Sequence, residues 1–485
     1  MNRGLDLRPI ILVTGILVTT LGVAMILPAV VDLAAGNPDW RVFLASSMLT
    51  SLVGFSLFMA ARGTPRGLST RQALLMTVVS WVALVSFGAL PFMWSGIVDG
   101  YTDAFFESMS GLTTTGATVI VDLDVAPPGI LFWRGLLQWL GGLGIIVMAI
   151  AVLPMLQIGG LQLFKAEAFD TAGKILPKAA QISSSITLVF IAFTVICCAL
   201  FAAAGMPIGD AVIHSMTTVA TGGFSTKDLS IGYFQSAAID WITIVFMILG
   251  SIPFVLYVQT LQGRLRPILT DSQVHVFLGT VATATIIAWL MAHFGEFHVG
   301  LEGLRYAAFN VVSILTGTGY ATTDYGIWGP HATSFFFVIM FIGGCAGSTS
   351  CGIKIFRFQV LYATSRVQMK RLLSPNGVFI AYYNKKPIPN SVEESVMSFF
   401  FLFMAIFGLL ALSLGLLGLD FITATSGAAT AISNVGPGLG DVIGPAGTFA
   451  SLPDAAKWLL SGGMLLGRLE IFTVLILLAP SFWRG

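Results

Sequence analysis

The sequence predicts an all-α integral membrane protein: four pseudo-symmetric helix–re-entrant pore loop–helix repeats around one central pore, plus two extra N-terminal transmembrane helices. Three observations support this fold class. The 485-residue chain is 56% hydrophobic and only 10% charged, whereas a soluble domain carries about 25% charged residues. Ten apolar stretches are long enough to span a bilayer. A short glycine-bearing segment recurs four times between them.

The composition limits the functions to consider. A net charge of +1 gives no reason to expect a polyanionic partner, so no nucleic acid is expected to bind. The four cysteines lie in or beside apolar stretches without zinc-type spacing, and no disulfide is expected. The sequence contains no GxxxxGK[ST] phosphate-binding motif and no catalytic constellation. A membrane enzyme or receptor is therefore disfavoured.

The apolar stretches divide into an N-terminal pair and four further pairs. The first run is about 25 residues, too long for the core of a signal peptide, so it is predicted to be a retained helix. Each later pair flanks one copy of the repeated segment. The predicted spans are 10–35, 41–60, 72–95, 131–154, 183–205, 237–260, 274–294, 332–355, 391–418 and 455–480. The predicted units are 1–70 for the extra helices and 71–160, 161–262, 263–375 and 376–485 for repeats one to four.

The repeated segment is clearest in Tyr101–Thr118, which has an acidic start, a short amphipathic helix and a Thr-rich strand broken by a glycine. The four copies align on that glycine. They are too short to cross a bilayer, so each is predicted to enter as a half-helix and to return as an extended strand. The aligned glycines are Gly116, Gly223, Gly319 and Gly436.

The distribution of basic residues predicts the orientation. Of 24 Lys and Arg residues, eighteen fall on one predicted face. The opposite face has only five, and Arg468 lies inside the last span. Both termini are therefore predicted to be cytoplasmic, and the four re-entrant segments are predicted to enter from outside. The five residues are Arg41, Arg134, Lys227, Arg305 and Lys457.

Extended backbone inside a membrane has N–H and C=O groups that lipid cannot satisfy, so the four segments are predicted to line a wet path. Four equivalent segments around one axis can form stacked rings of carbonyl oxygens, which replace the water shell of a monovalent cation. Glycine permits the positive φ that aims a carbonyl inward. The predicted filter residues are Thr113, Thr114, Thr115, Gly116, Ala220, Thr221, Gly222, Gly223, Thr316, Gly317, Thr318, Gly319, Ser433, Asn434, Val435 and Gly436.

Each short helix is predicted to end near the membrane centre, so its C-terminal dipole places partial negative charge at the axis. Asp103 and Asp210 lie at helix starts, where acids are favoured, and are predicted to be capping residues. Glu107 lies one turn further in and aligns with His214. Glu107 is predicted either to hold the filter as a buried acid or to be only a hydrogen-bond anchor.

The inner helix of repeat three is predicted to be interrupted, because four glycines fall within ten residues and each costs about 1 kcal/mol relative to alanine. Unwound backbone at mid-membrane must line a cavity, so this segment is predicted to be a gate. The alternative is a kinked helix with small residues at a crossing. The predicted gate residues are Gly343, Gly344, Cys345, Ala346, Gly347, Ser348, Thr349, Ser350, Gly352 and Arg468.

An arginine inside a span is a functional hypothesis by default. Three interpretations of Arg468 are open: that it pairs with carbonyls of the broken segment, that it places positive charge below the filter, or that it extends toward the cytoplasmic boundary. Glu470 is two residues further on and faces elsewhere on a helix, so it is a poor partner for Arg468.

The filter strands TTTGA, ATGGF, TGTGY and SNVGP, with the extra N-terminal helices, resemble the Trk/Ktr/HKT superfamily of potassium transporters, most closely its TrkH branch, over roughly residues 70–480. The resemblance implies K⁺ as the transported ion, bound in the filter, with no organic cofactor. It implies a homodimer in a bacterial cytoplasmic (inner) membrane, with one pore per chain, and a cytosolic nucleotide-binding TrkA-like ring that controls the gate. It also implies an intramembrane gating loop in repeat three and a basic residue near the pore at Arg468.

Two functional hypotheses follow. The first is K⁺ uptake that is channel-like and gated, because an electrical driving force of about 2.3 kcal/mol per charge per 100 mV accumulates K⁺ without a chemical step. The second is a K⁺ symporter coupled to H⁺ or Na⁺. The sequence lacks the chain of buried carboxylates and histidines typical of a proton relay, which favours the first.

Overall fold

The computed structural model describes residues 5–63, 68–151, 175–295, 297 and 300–484, and these are predominantly helical. A two-stranded antiparallel hairpin pairs Tyr382–Tyr383 with Lys386–Pro387. The predicted boundary between repeats one and two lies outside the described residues, as do four basic residues used to predict the orientation: Arg3, Arg66, Lys165 and Lys174.

The two N-terminal helices pack closely on each other. The first runs from Arg8–Ala24 into Ile26–Ala35, and the second is Trp40–Ala60. Small residues let their backbones approach: a Cβ on Gly15 would stand 2.6 Å from the Phe58 nitrogen. This pair also contacts repeat one, because the Gly129 N–H donates to the Asp32 carboxylate at 2.7 Å.

Each repeat has an outer helix, a short pore helix and an inner helix. The outer helices are Thr70–Gly88 with Leu90–Ser95, Ile175–Ala203, Ser272–Phe294 and Asn390–Leu416. The pore helices are Tyr101–Leu112, Ile208–Val219, Gly300–Thr316 and Phe421–Ser433. The inner helices are Pro128–Ala151, Ala237–Gly250 with Phe254–Leu261, Pro330–Ile339 followed by Ile355–Leu373, and Asp454–Arg468 with Ile471–Leu475. Below, pore and inner helices carry the number of their repeat.

Several boundaries follow from local chemistry. Ser69 begins the first outer helix with a capping box formed with Gln72. Asp271 caps the third outer helix. Asp420 caps pore helix 4 by accepting from the Ile422 and Thr423 N–H groups. The hydrogen bonds from the Thr423 side chain and from the two backbone N–H groups lower the pKa of Asp420, which lies outside the spans.

Seven described helices are long and apolar enough to cross a membrane, and they match seven of the ten predicted spans. The other three predicted spans are not continuous helices, and two of these breaks were not predicted. Inner helix 2 bends by 91° and inner helix 4 by 114°. The first bend follows from Pro253, which has no N–H for the helix ladder. The second lies at Glu470, whose φ is +60°.

Charged residues connect neighbouring repeats near the starts of the pore helices. The Arg305 guanidinium of pore helix 3 lies 3.3 Å from the Asp240 carboxylate of inner helix 2. The Lys457 ammonium of inner helix 4 lies 2.6 Å from the Asp103 carboxylate of pore helix 1. The prediction that Asp103 is simply a helix cap is therefore wrong. The N-cap residue of that helix is Gly100, and Asp103 instead connects repeats one and four.

Most of the apolar core forms two clusters. One joins repeats one and four with the N-terminal helices. The other joins repeats two and three. The four glycine-bearing segments lie where the pore helices meet. Many of the residues in these segments are polar and buried.

Candidate ion pathway

The four glycine-bearing segments share one backbone conformation. Two residues before each aligned glycine the chain is left-handed, with φ of +52°, +50°, +71° and +51° at Thr114, Thr221, Gly317 and Asn434. The glycines themselves have φ of +87°, +78°, +85° and +110° at Gly116, Gly223, Gly319 and Gly436. Left-handed backbone costs a residue with a Cβ roughly 1–2 kcal/mol. The same unfavourable geometry in all four repeats therefore indicates a common constraint.

The contacts of the aligned glycines run around a closed ring. A Cβ on Gly116 would overlap the carbonyl oxygen of Gly222, and one on Gly223 would overlap that of Thr318. A Cβ on Gly319 would overlap the Val435 carbonyl oxygen, and one on Gly436 would stand 2.7 Å from the Thr115 oxygen. Each glycine thus abuts the residue before the glycine of the next repeat, and repeat four returns to repeat one. The four segments surround a common centre.

Hydroxyl and amide side chains of the predicted filter residues form hydrogen bonds with each other. The Thr113 and Thr115 hydroxyls lie 2.8 Å apart, and the Thr316 and Thr318 hydroxyls lie 2.7 Å apart. The Asn434 amide donates to the Thr115 hydroxyl at 2.9 Å, which connects repeats four and one. All sixteen predicted filter residues therefore gather in one buried ring, with only three of the glycines partly exposed.

One polar residue on each pore helix holds the segment that follows it. Glu107 accepts from the Val119 N–H at 2.9 Å. His214 bonds the Ser225 hydroxyl at 3.0 Å. In repeats three and four, Asn310 accepts from the Thr322 N–H, and Ser426 accepts from the Leu439 N–H.

Glu107 and His214 stood out in the sequence, whereas Asn310 and Ser426 did not. Three of these residues stand nine positions before the aligned glycine, and Ser426 stands ten before it. Extending the alignment backwards along the pore helix would have found the first three. Glu107 is a buried acid that holds this segment, and it is more than a hydrogen-bond anchor because it also pairs with Arg134, whose Nε lies 2.8 Å away.

Two residues of inner helix 1 connect it to repeat two. Arg134 donates to the Ser225 carbonyl at 2.7 Å. Gln138 donates to the Gly222 carbonyl at 2.5 Å and accepts from the Phe224 N–H at 3.0 Å. Gln138 thus contacts the backbone on both sides of Gly223 and hydrogen-bonds the carbonyl of Gly222, one of the predicted filter residues. Gln138 was not predicted from the sequence, because a glutamine within an apolar helix gives no local signal of its partner.

On one side of the ring lies a cavity of about 70 Å³ with lining residues from all four repeats. It includes the charged residues Arg134, Lys227 and Asp228. The residues that follow each glycine face it, so it forms an entrance to the ring from the side opposite the interrupted helix. Its ring-facing wall is formed by Gly116, Gly223, Gly319 and Pro437.

Inner helix 3 is interrupted, as predicted, and the break extends over residues 340–354. Backbone hydrogen bonds join its two ends, from the Gly343 N–H to the Ile353 carbonyl and from the Ile353 N–H to the Phe341 carbonyl. The residues between form a closed loop, called the repeat-three loop below. Gly347 and Gly352 have φ of +77° and +73°. The helix is therefore not merely kinked.

The repeat-three loop lies directly against the ring. The Thr221 hydroxyl donates to Thr349 at 3.1 Å, and the Cys351 sulfur lies 3.7 Å from the Thr114 hydroxyl. The Cβ position of Gly317 is 3.4 Å from the Cys351 nitrogen. Residues from repeats one, two and three of the ring thus contact the loop, which covers the side opposite the entrance cavity.

The loop is also held by inner helix 2 at its unpredicted bend. The Thr349 N–H and hydroxyl both donate to the Gly250 carbonyl, at 3.1 and 2.9 Å. The Cys345 N–H donates to the Ser251 carbonyl at 3.0 Å. Bending this helix exposes carbonyls that a continuous helix would use internally. The bend therefore provides acceptors for the loop.

Arg468 completes the contacts from repeat four. Its guanidinium donates to the Thr349 carbonyl at 3.2 Å, the Cys351 sulfur at 2.6 Å and the Gly141 carbonyl at 3.1 Å. The side chain is buried, so it does not extend to a membrane boundary. Glu470 instead pairs with Arg357 at 2.6 Å, in agreement with the expectation that it is a poor partner for Arg468.

The family model of TrkH, described as a cation transport protein, matches residues 40–484. The chain belongs to the TrkH family. TrkH-family relatives cover it nearly completely. The Trk system potassium uptake protein TrkI of Halomonas elongata is 43% identical, over 98% of this chain and 97% of its own. TrkH of Salmonella typhimurium is 38% identical, over 98% and 99%.

A solved TrkH-family structure has the same fold. The crystal structure of the potassium transporter TrkH from Vibrio parahaemolyticus matches with a TM-score of 0.92 and 36% identity, over 99% of this chain and 100% of that one. This likeness confirms the predicted fold class of the present TrkH-family chain. The relatives are named as transporters, which confirms that the chain is not an enzyme.

Proposed function

We propose that this chain takes up potassium across the cytoplasmic membrane through a filter of backbone carbonyls, in a channel-like way. The proposed filter is the ring formed by the sixteen predicted residues. The closed order of glycine–carbonyl contacts from repeat to repeat carries this proposal. A ring of carbonyls can replace the water shell of K⁺ without formal charge. The names of the relatives, potassium uptake proteins of the Trk system, support K⁺ as the substrate.

The proposed gate is the repeat-three loop with Arg468. The loop lies under the ring, and Arg468 holds it there through the Thr349 carbonyl. Charge-assisted hydrogen bonds contribute about 1.5–3 kcal/mol each, so the two contacts with the loop, to the Thr349 carbonyl and the Cys351 sulfur, favour the closed loop. Positive charge directly below the ring also opposes cation exit.

The experiment is ⁸⁶Rb⁺ uptake into proteoliposomes of pure protein, with no pH or Na⁺ gradient. Uptake driven by membrane potential alone supports the channel-like reading. Uptake that requires an imposed H⁺ or Na⁺ gradient favours the symporter instead. Deleting Gly343–Gly352 should raise the flux, and a folded deletion protein with unaltered flux counts against the gate.

We also propose the assembly and location expected from the resemblance: a homodimer in the inner membrane, both termini cytoplasmic, bound by a nucleotide-binding TrkA-like ring. The exposed basic residues on and after the second half of inner helix 3 support a docking surface, and they are Arg366, Lys370, Arg371, Lys385 and Lys386. Light scattering of the purified protein tests the dimer. Loss of ring binding on reversing the charge of Lys385 and Lys386 would support the surface, and unchanged binding would exclude it.

A further inference from the structure

A second cavity, of about 40 Å³, lies beside the repeat-three loop on the side away from the ring. Three cationic side chains, Lys354, Arg357 and Arg468, and one carboxylate, Glu470, line it. From the sequence, Lys354 and Arg357 were predicted to lie on the cytoplasmic face. The structure instead places them with Arg468 around this cavity, and Arg357 is buried.

The charges around this cavity do not balance. Arg357 is paired with Glu470 at 2.6 Å and stacks on Phe399 at 3.6 Å. Lys354 donates to the Ser350 carbonyl, and the hydrogen-bond partners of Arg468 are carbonyls and a thiol. Across the described part of the chain, neither Lys354 nor Arg468 forms an ion pair with a carboxylate. Arg468 is buried and Lys354 is half-buried, and cations in such surroundings without a counter-charge are unfavourable.

We infer that this cavity binds a small monovalent anion such as chloride while the loop is closed. A buried water molecule needs a cavity of about 10–15 Å³. This cavity, of about 40 Å³, is larger and can hold a halide ion. Arg468 is only 3% exposed, and its Nε has no hydrogen-bond partner among the described residues. An ammonium such as that of Lys354 has three N–H donors. Apolar walls, including Phe403 and Ile471, strengthen the attraction between an anion and these cations.

The site depends on the closed loop, and its regulatory role rests on the proposed function. The Ser350 and Thr349 carbonyls, which hold Lys354 and Arg468 in place, belong to the loop. When the loop moves, the two cations lose this arrangement. An anion that binds only the closed state shifts the population toward it. At a chloride concentration ten times its dissociation constant, the closed state is favoured by roughly elevenfold.

Two measurements on the purified full-length protein test the inference. The first is ⁸⁶Rb⁺ flux into proteoliposomes with internal potassium chloride or potassium gluconate. We expect the flux to be up to roughly tenfold lower in chloride. The second is thermal unfolding in the same two salts, where chloride should raise the midpoint. Lys354→Gln should abolish both effects, whereas Lys354→Arg should retain them.

Arg264→Gln is the matched control, because Arg264 is an exposed cation that does not line this cavity, and the variant should leave both effects intact. Equal flux and equal unfolding midpoints in chloride and gluconate would overturn the anion site, and so would a chloride effect that Lys354→Gln does not change. No Rb⁺ flux in either salt would contradict the proposed function instead. The unfolding midpoints would then still decide whether the anion binds.

Discussion

Gly223 is a glycine of the proposed filter, and its position leaves no room for a side chain. Its φ is +78°, and a Cβ would overlap the carbonyl oxygen of Thr318 in the next repeat. The left-handed backbone costs a serine about 1–2 kcal/mol. Displacing packed neighbours adds roughly 1–3 kcal/mol. Because the obstacle is a backbone carbonyl of the proposed filter, Gly223→Ser relieves the overlap by moving an oxygen that is proposed to coordinate the ion.

Substitutions at two other glycines distinguish the steric overlap of the Cβ from the cost of the left-handed backbone. Gly436 has φ +110°, but its Cβ position stands 2.7 Å from the Thr115 oxygen, the least crowded of the four. Gly205 has φ +94° with no atom within 4 Å of its Cβ position. A serine at Gly205 therefore bears only the backbone cost and is the matched control.

The assay is competition of K⁺ and Na⁺ against ⁸⁶Rb⁺ uptake in proteoliposomes. A loss of 1.4 kcal/mol in discrimination is a factor of about ten. We expect Gly223→Ser to lower the preference for K⁺ over Na⁺ by about tenfold or more, and Gly436→Ser to lower it less. Gly205→Ser should leave it unchanged. The reasoning is refuted if Gly205→Ser alters selectivity as much as Gly223→Ser, or if active Gly223→Ser protein keeps its preference.

Three further predictions concern the polar contacts. Glu107→Gln leaves the buried guanidinium of Arg134 without its carboxylate, which lowers the free energy of unfolding by about 3–5 kcal/mol. The midpoint of thermal unfolding should therefore fall. An unchanged midpoint would contradict the role of the pair. Thr349→Val removes the loop hydroxyl that contacts Thr221 and two carbonyls, at about 1 kcal/mol per bond. ⁸⁶Rb⁺ flux should rise severalfold, and unaltered flux would count against the loop as a gate. Asp420→Ala removes a helix cap contributing about 1 kcal/mol. Hydrogen bonds lower the pKa of this carboxyl. The cap therefore stabilises the protein above a pH of about 4, the ordinary pKa of an Asp side chain. This stabilisation is lost as the pH falls through the lowered pKa. The midpoint difference from wild type should shrink below pH 4, and a constant difference would contradict the assignment.

Local patterns in the sequence predicted most of what lies on one element. Four spaced glycines identified the ring, because a positive φ and a missing Cβ are requirements of single positions. The glycine-rich run predicted the break in inner helix 3, because helix propensity adds along the chain. Arg468 was found because a charge within an apolar span is conspicuous wherever its partners lie.

The partners of these residues could not be predicted. Asp103 was predicted to be a cap because it lies in the first turn of a helix. Its partner, Lys457, lies more than 350 positions away in the sequence. Gln138 and Asn310 are ordinary polar residues until the packing brings a carbonyl or N–H group to them. The break at Leu469 and Glu470 contains neither proline nor glycine, and it coincides with the ion pair between Glu470 and Arg357.

The sequence by itself determined that this is a membrane protein and that one re-entrant unit occurs four times in it. It also determined where non-helical backbone occurs. These properties follow from hydropathy and backbone freedom, which act over a few residues. Only the tertiary structure decided the order in which glycines meet carbonyls, the position of the repeat-three loop against the ring, and the gathering of Lys354 with Arg468. Those relations depend on the angles between packed helices, and no stretch of the chain encodes such an angle alone.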